Sequence, residues 1–126
     1  MRVLIVRHAE AAPGQPDELR PLTAEGEKHA RALGERLRTS GFAPEAVVTS
    51  PFLRALQTAT ALGFGEPEVD DRLAPGAAPV DFSAAAEGRG DSVVLVGHQP
   101  DCGRAVLELT DVEVSFPPAG SHEIEL

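Results

Sequence analysis

Three short aliphatic runs, Val3-Leu4-Ile5-Val6, Ala46-Val47-Val48-Thr49 and Val93-Val94-Leu95-Val96, constrain this chain more than any other feature. Each is rich in β-branched residues and too short for a buried helix, so each reads as a strand covered on both faces. Helical spacing fills the intervals. Thr23 reads as an N-cap, Ala30, Leu33 and Leu37 recur on one face, and Gly41 ends the element. Ser50-Pro51 predicts a second cap with proline at the first helical position, and Phe52, Leu56 and Ala59 as the buried face up to about Leu62. Pro100 opens a further helix, with Cys102, Val106 and Leu109 on one side. Strands joined by helical crossovers run parallel. The expected fold is α/β, a three-layer α/β/α sandwich with a mostly parallel central sheet.

The remaining segments are less regular. Pro13, Gly14, Pro16 and Pro21 make Ala11 to Pro21 a loop. Pro, Gly and Ala dominate Gly63 to Gly90, which reads as a mobile loop region holding a short edge strand at Glu68-Val69-Asp70 and one or two helical turns over Asp81 to Glu87. Glu123-Ile124-Glu125-Leu126 alternates as a half-exposed strand does. At 126 residues, without repeats or an internal linker, residues 1–126 are expected to form one domain.

The formal net charge of −9 argues against nucleic acid or an anionic membrane as partner. A single cysteine, Cys102, excludes an internal disulfide and a cysteine-rich zinc site, and its helical neighbours mark it as core filler. No apolar stretch approaches the roughly 20 residues of a membrane span, and the chain enters its first strand without a signal-peptide pattern. These features predict a cytoplasmic protein, and they carry no clue to oligomeric state.

Chemistry collects where the strands end. The first run leads into Arg7-His8-Ala9-Glu10, the second into Thr49-Ser50-Pro51 with Arg54 shortly after, and the third into Gly97-His98. In a parallel sheet all three turns lie on one edge, where α/β proteins place their ligand site. Arg7, His8, Arg54 and His98 then converge, joined by the N-termini of two helices. Singly, each residue has an ordinary reading: an exposed helical arginine, a turn histidine bonded to backbone, a glycine in a tight turn. Two arginines and two histidines at equivalent ends of three strands form a pocket for a tetrahedral dianion, with phosphate the obvious candidate. A metal site at His8, Glu10 and His98 is the competing view, and flanking arginines make a cation there unfavourable.

Arg7-His8-Ala9-Glu10 resembles the Arg-His-Gly/Ala-Glu motif of the histidine phosphatase (phosphoglycerate mutase-like) superfamily. Pro21-Leu22-Thr23-Ala24-Glu25-Gly26, the stretch Ser50 to Ala59, and Gly97-His98-Gln99-Pro100 are similar to its further blocks, in the same order. The short length, Arg-His-Ala-Glu and Pro-Leu-Thr resemble the SixA-type phosphohistidine phosphatases in particular. The resemblance implies a phosphoglycerate mutase-like fold and a phosphatase without cofactor or metal. It implies His8 as the nucleophile that becomes phosphohistidine, with Arg7, Arg54 and His98 holding phosphate oxygens.

Many larger members carry a glutamate proton donor shortly after an Arg-Leu pair in the middle segment. Here Arg72-Leu73-Ala74-Pro75-Gly76 places proline there, and Asp70, Asp71, Asp81 and Glu87 are only neighbouring acids. An alkoxide leaving group benefits greatly from a donor, whereas imidazole, with a pKa near about 6.5, leaves after modest protonation. With short connections and an open pocket, this favours a phosphohistidine on another protein. A small phosphate ester, with Asp81 or Glu87 recruited as donor, and a weakly active phosphoprotein-binding module are the alternatives.

Overall fold

The computed structural model describes all residues from Met1 to Leu126. Its strands and α-helices are β1 (Arg2–Arg7), α1 (Ala24–Thr39), β2 (Ala46–Thr49), α2 (Leu53–Ala61), β3 (Glu68–Val69), α3 (Pro79–Ala86), β4 (Ser92–Gly97), α4 (Asp101–Thr110) and β5 (Ser121–Glu125), with 3-10 turns at Asp17–Leu19 and Asp71–Leu73. The five strands form one sheet in the order β3-β2-β4-β1-β5. All neighbours are parallel except the β1–β5 edge pair.

Alternation along the strands divides the core into two layers. Leu4, Val6, Val47, Val94 and Val96 face Leu33 of α1, Ala55 and Ala59 of α2, and Leu62 just beyond it. Val3, Ile5, Val48, Val93 and Leu95 face Phe82, Ala85 and Ala86 of α3 and Cys102, Ala105 and Val106 of α4. Both faces of the central strands are dry, which is why the three runs are uninterruptedly apolar rather than alternating. The expected three-layer α/β/α sandwich is the fold observed. No helix is long and apolar enough to cross a membrane.

Several local details differ from the sequence expectation. The middle segment is more ordered, because α3 spans a full eight residues and Asp81 Oδ2 accepts from the Ala78 N–H to cap it. Helix α2 begins at Leu53 with Phe52 as its N-cap residue, so Pro51 lies outside it; Ser50 Oγ accepts the Phe52 N–H within the turn itself. Its buried face is Arg54, Ala55, Thr58 and Ala59, and Leu56 is only half-buried. The polar members of that face belong to the functional site.

Close approaches explain two glycines. A Cβ on Gly26 would stand 2.2 Å from the Glu10 carbonyl oxygen, and one on Gly34 would stand 2.1 Å from that of Leu62. Gly26 lets α1 sit directly on the turn after β1, and Gly34 lets α1 and α2 touch through their backbones. Thr23 seals the first contact. Its Oγ1 accepts the Gly26 N–H at 3.0 Å as N-cap and donates to Glu10 Oε1 at 2.8 Å.

Candidate active site

The carboxyl ends of β1, β2 and β4 are adjacent because β4 lies between β1 and β2. In register, Arg7 pairs with Gly97 and Thr49 with Val96, so His8, Ser50 and His98 leave the sheet side by side. The His8 and His98 ring centroids are 5.2 Å apart. Arg54 reaches the same place from the first turn of α2, its guanidinium carbon 5.0 Å from the centroid of the Phe52 ring, which meets His98 edge-on at 5.4 Å. All four residues expected at the site, Arg7, His8, Arg54 and His98, are thus brought to one edge of the sheet.

His8 Nδ1 lies 2.7 Å from the Ala9 carbonyl oxygen. A carbonyl only accepts, so Nδ1 carries the proton and Nε2 carries the free lone pair. Burial drives the imidazole down to about 4; the bond to Ala9 opposes this, and the charges of Arg54, Arg7 and Arg20 reinforce it. His8 is therefore neutral at physiological pH. The Ala9 carbonyl is itself held in place. Ala9 is fully buried, and its N–H donates to Thr58 Oγ1 at 3.0 Å, while that hydroxyl donates to the Arg54 carbonyl at 2.8 Å. One threonine on α2 thereby links the turn that orients His8 to the helix that carries Arg54.

His98 is 3% exposed and pairs through Nε2 with Ser50 Oγ at 2.8 Å. Burial, with the neighbouring His8 and Arg54, drives it down to about 3. Arg7 donates from Nη1 to the Phe116 carbonyl at 2.9 Å, which fixes its position without neutralising it. Across the whole molecule only two buried side-chain nitrogens or oxygens lack a hydrogen-bond partner, Arg7 Nε and His98 Nδ1. Both belong to this site. Buried polar atoms are almost always paired, and two unpaired nitrogens beside cationic guanidinium groups suit an oxyanion.

Two residues join the site that sequence reasoning did not single out. Arg20 donates from Nε to the Ala12 carbonyl at 2.8 Å and pairs through Nη1 with Asp17 Oδ1 at 3.0 Å. Asp17 in turn reaches Arg54 through both its carbonyl and its carboxylate. The loop carrying them is bound down by the Ala11–Leu22 bridge and by the Leu22 N–H, which donates to Gln57 Oε1 at 2.8 Å. Glu10, a possible metal ligand on the sequence, instead accepts from Thr23.

The acids of the middle segment have other partners. Asp70 is 8% exposed, caps the turn at Asp71–Leu73, and takes a two-pronged ion pair from Arg72 at 3.0 and 2.8 Å plus a contact from Arg89. The hydrogen bond from Arg72 holds its carboxyl below the usual range. Asp81 is occupied as a helix cap, and Asp71 and Glu87 are exposed. The stretch at Pro75 is pinned by buried Asp101, whose Oδ2 accepts the Gly76 N–H at 2.9 Å. Cys102 is core, as expected, and burial pushes its thiol up to about 12.

Residues 3–75 match the model of the histidine phosphatase superfamily, branch 1. The chain belongs to the histidine phosphatase superfamily. It is accordingly a phosphatase. It is 34% identical over 128 residues to the phosphohistidine phosphatase SixA of Escherichia coli, covering 94% of this chain and 78% of that protein. An uncharacterised Picosynechococcus protein is 39% identical over 114 residues, covering 82% of this chain and 69% of that one. Among solved structures, the protein histidine phosphatase SixA complexed with tungstate superposes with a TM-score of 0.89 at 32% identity, over 100% of this chain and 88% of that one. The phosphoglycerate mutase-like architecture expected from the sequence is therefore the histidine phosphatase fold.

Proposed function

We propose that this histidine phosphatase works without metal, through a phosphohistidine intermediate on His8 Nε2, and removes phosphate from phosphohistidine on another protein. The observation that carries the reading is the 2.7 Å contact of His8 Nδ1 with the Ala9 carbonyl oxygen, which sets the tautomer. With Nδ1–H committed to the Ala9 carbonyl and the ring held neutral, Nε2 is the one nitrogen able to attack phosphorus. Arg7, Arg54 and His98 hold the phosphoryl oxygens; Arg7 Nε is a donor without a partner, and His98 Nδ1 donates in the tautomer whose Nε2 accepts the Ser50 hydroxyl.

The reaction balances in two displacements. His8 Nε2 forms a bond to phosphorus as the bond from phosphorus to the substrate imidazole breaks, and the departing ring takes a proton from solvent. Water then attacks phosphorus as the bond from phosphorus to His8 Nε2 breaks, a proton of that water passes to solvent, phosphate leaves, and His8 returns to its neutral form. The transition states are loose, so positioning and fixed positive charge provide most of the acceleration. Guanidinium groups fill the role that Mg²⁺ has in kinases, and they oppose cation binding beside the two histidines.

Three observations support the phosphoprotein as substrate. No middle-segment acid is placed as a donor: Asp70 is ionised in its pair with Arg72, and Asp81 caps a helix. A neutral imidazole tolerates that lack far better than an alkoxide does. His8 itself is only half-buried, so a side chain carried on a second protein can reach it. Finally, the similar protein histidine phosphatase is complexed with tungstate, a tetrahedral oxyanion of the required shape.

The test compares kcat/KM on a phosphohistidine protein with a panel of sugar and nucleotide phosphates. The phosphoprotein is expected to be cleaved faster than every ester. A small ester cleaved faster than the phosphoprotein would overturn the substrate assignment and leave the His8 chemistry standing.

A further inference from the structure

A carboxylate is built into this cationic site, and the displacement chemistry gives it no task. Asp17 accepts from Arg54 Nη1 through its carbonyl at 2.9 Å, and its Oδ2 lies 3.3 Å from Arg54 Nη2. Its Oδ1 takes the hydrogen bond from Arg20 Nη1 at 3.0 Å. The arrangement is asymmetric: the Arg54 side chain is 8% exposed and that of Asp17 is 51% exposed. Arg54 is already fixed by the Asp17 main-chain carbonyl and by the Phe52 ring under it. The carboxylate is not needed to place it. What the carboxylate does is set a negative charge against the guanidinium groups of Arg54 and Arg20, where an incoming oxyanion would also bind. The hydrogen bond from Arg20, with Arg54 adding to it, holds the Asp17 carboxyl below its ordinary range, so it stays charged.

We propose that Asp17 is a tethered competitor for phosphate: its carboxylate shares Arg54 and Arg20 with the bound oxyanion and so speeds release of the product. This rests on the anion-binding role given to Arg54 above. Its physical basis is the likeness of product to transferred group. Arg7, Arg54 and His98, which hold the transferred phosphoryl group, also hold inorganic phosphate, and tight binding of product slows turnover rather than helping it. An internal anion that occupies the same cations lowers affinity for both, and it acts most where release limits the rate. The Asp17–Leu19 turn, set between Pro16 and Pro21, keeps that anion at the mouth instead of in solvent.

The experiment uses the full chain as wild type, Asp17→Asn and Asp17→Ala. Phosphate and vanadate affinities are measured by calorimetry at fixed ionic strength, and product inhibition by phosphate is measured in turnover. Both variants are expected to bind both oxyanions about fivefold more tightly, with the phosphate inhibition constant falling by the same factor. Unchanged affinity overturns the proposal. Weaker affinity overturns it too, because that is the outcome if the carboxylate serves only to position the arginines. A wild type that binds neither oxyanion would instead bring down the anion site itself, so the two failures are distinguishable.

Discussion

Thr58→Val tests whether the support behind His8 matters as the geometry requires. The substitution keeps shape and removes one hydroxyl, which accepts the Ala9 N–H at 3.0 Å and donates to the Arg54 carbonyl at 2.8 Å. The carbonyl loses little, since helical carbonyls remain bonded within the helix. The Ala9 amide loses its partner in a site with no access to water, because Ala9 and Thr58 are both fully buried. An unsatisfied buried donor costs about 1–3 kcal/mol. Taking about 2 kcal/mol, the melting temperature should fall by about 8 °C for a domain of this size. Activity should fall further. To find a new acceptor Ala9 must turn, and the carbonyl that fixes the His8 tautomer turns with it, so kcat is expected to drop about tenfold. Thr58→Ser is the matched control: it keeps both hydrogen bonds, loses one methyl at about 1 kcal/mol, and should retain near wild-type kcat. Denaturant melts and single-turnover kinetics on the three proteins decide the matter. Equal kcat for the valine and serine variants, or a valine variant as stable as wild type, would refute the coupling.

Other outcomes follow from the same geometry. His8 is held near about 4 and His98 near about 3, so the unfolded chain binds protons between these values and about 6.5 that the native state refuses; stability should decline as pH falls from about 6.5 towards 4, a trend that urea midpoints across that range will measure and that His98→Asn should flatten. Arg54→Ala should weaken vanadate binding more than about tenfold, the loss of one charge-assisted contact, and an unchanged dissociation constant would mean that the three turns do not share a ligand. Gly26→Ala forces a Cβ to 2.2 Å from the Glu10 carbonyl, so it should cost more than about 2 kcal/mol in urea unfolding and reduce activity by shifting the turn after His8.

The sheet and the four principal site residues were legible because their signals are local. A fully buried strand announces itself by an unbroken β-branched run, and its exit turn is the next few residues, so Arg7-His8 and Gly97-His98 could be placed without knowing any distant contact. Helix α2 was harder. Its amphipathic pattern points to Phe52, Leu56 and Ala59, yet the face turned inward includes Arg54 and Thr58, since part of that face is the wall of a polar site rather than of the core. Asp17 and Arg20 were invisible for another reason. They sit in a proline-rich loop, and the contact of Asp17 with Arg54 spans 37 residues of sequence, so no local pattern encodes it. Helix α3 was read as one or two turns because its alanines offer little contrast between faces, and the capping role of Asp81 depends on a backbone N–H that sequence does not display.

The central claim is that His8 carries the phosphoryl group, and trapping the intermediate tests it most directly. Brief exposure to a labelled phosphodonor, quenched in alkali, should leave label on His8 of the wild type. The same reaction quenched in acid should retain none, and His8→Ala should stay unlabelled under either quench. Acid-stable label, or equal labelling of the alanine variant, would contradict the account.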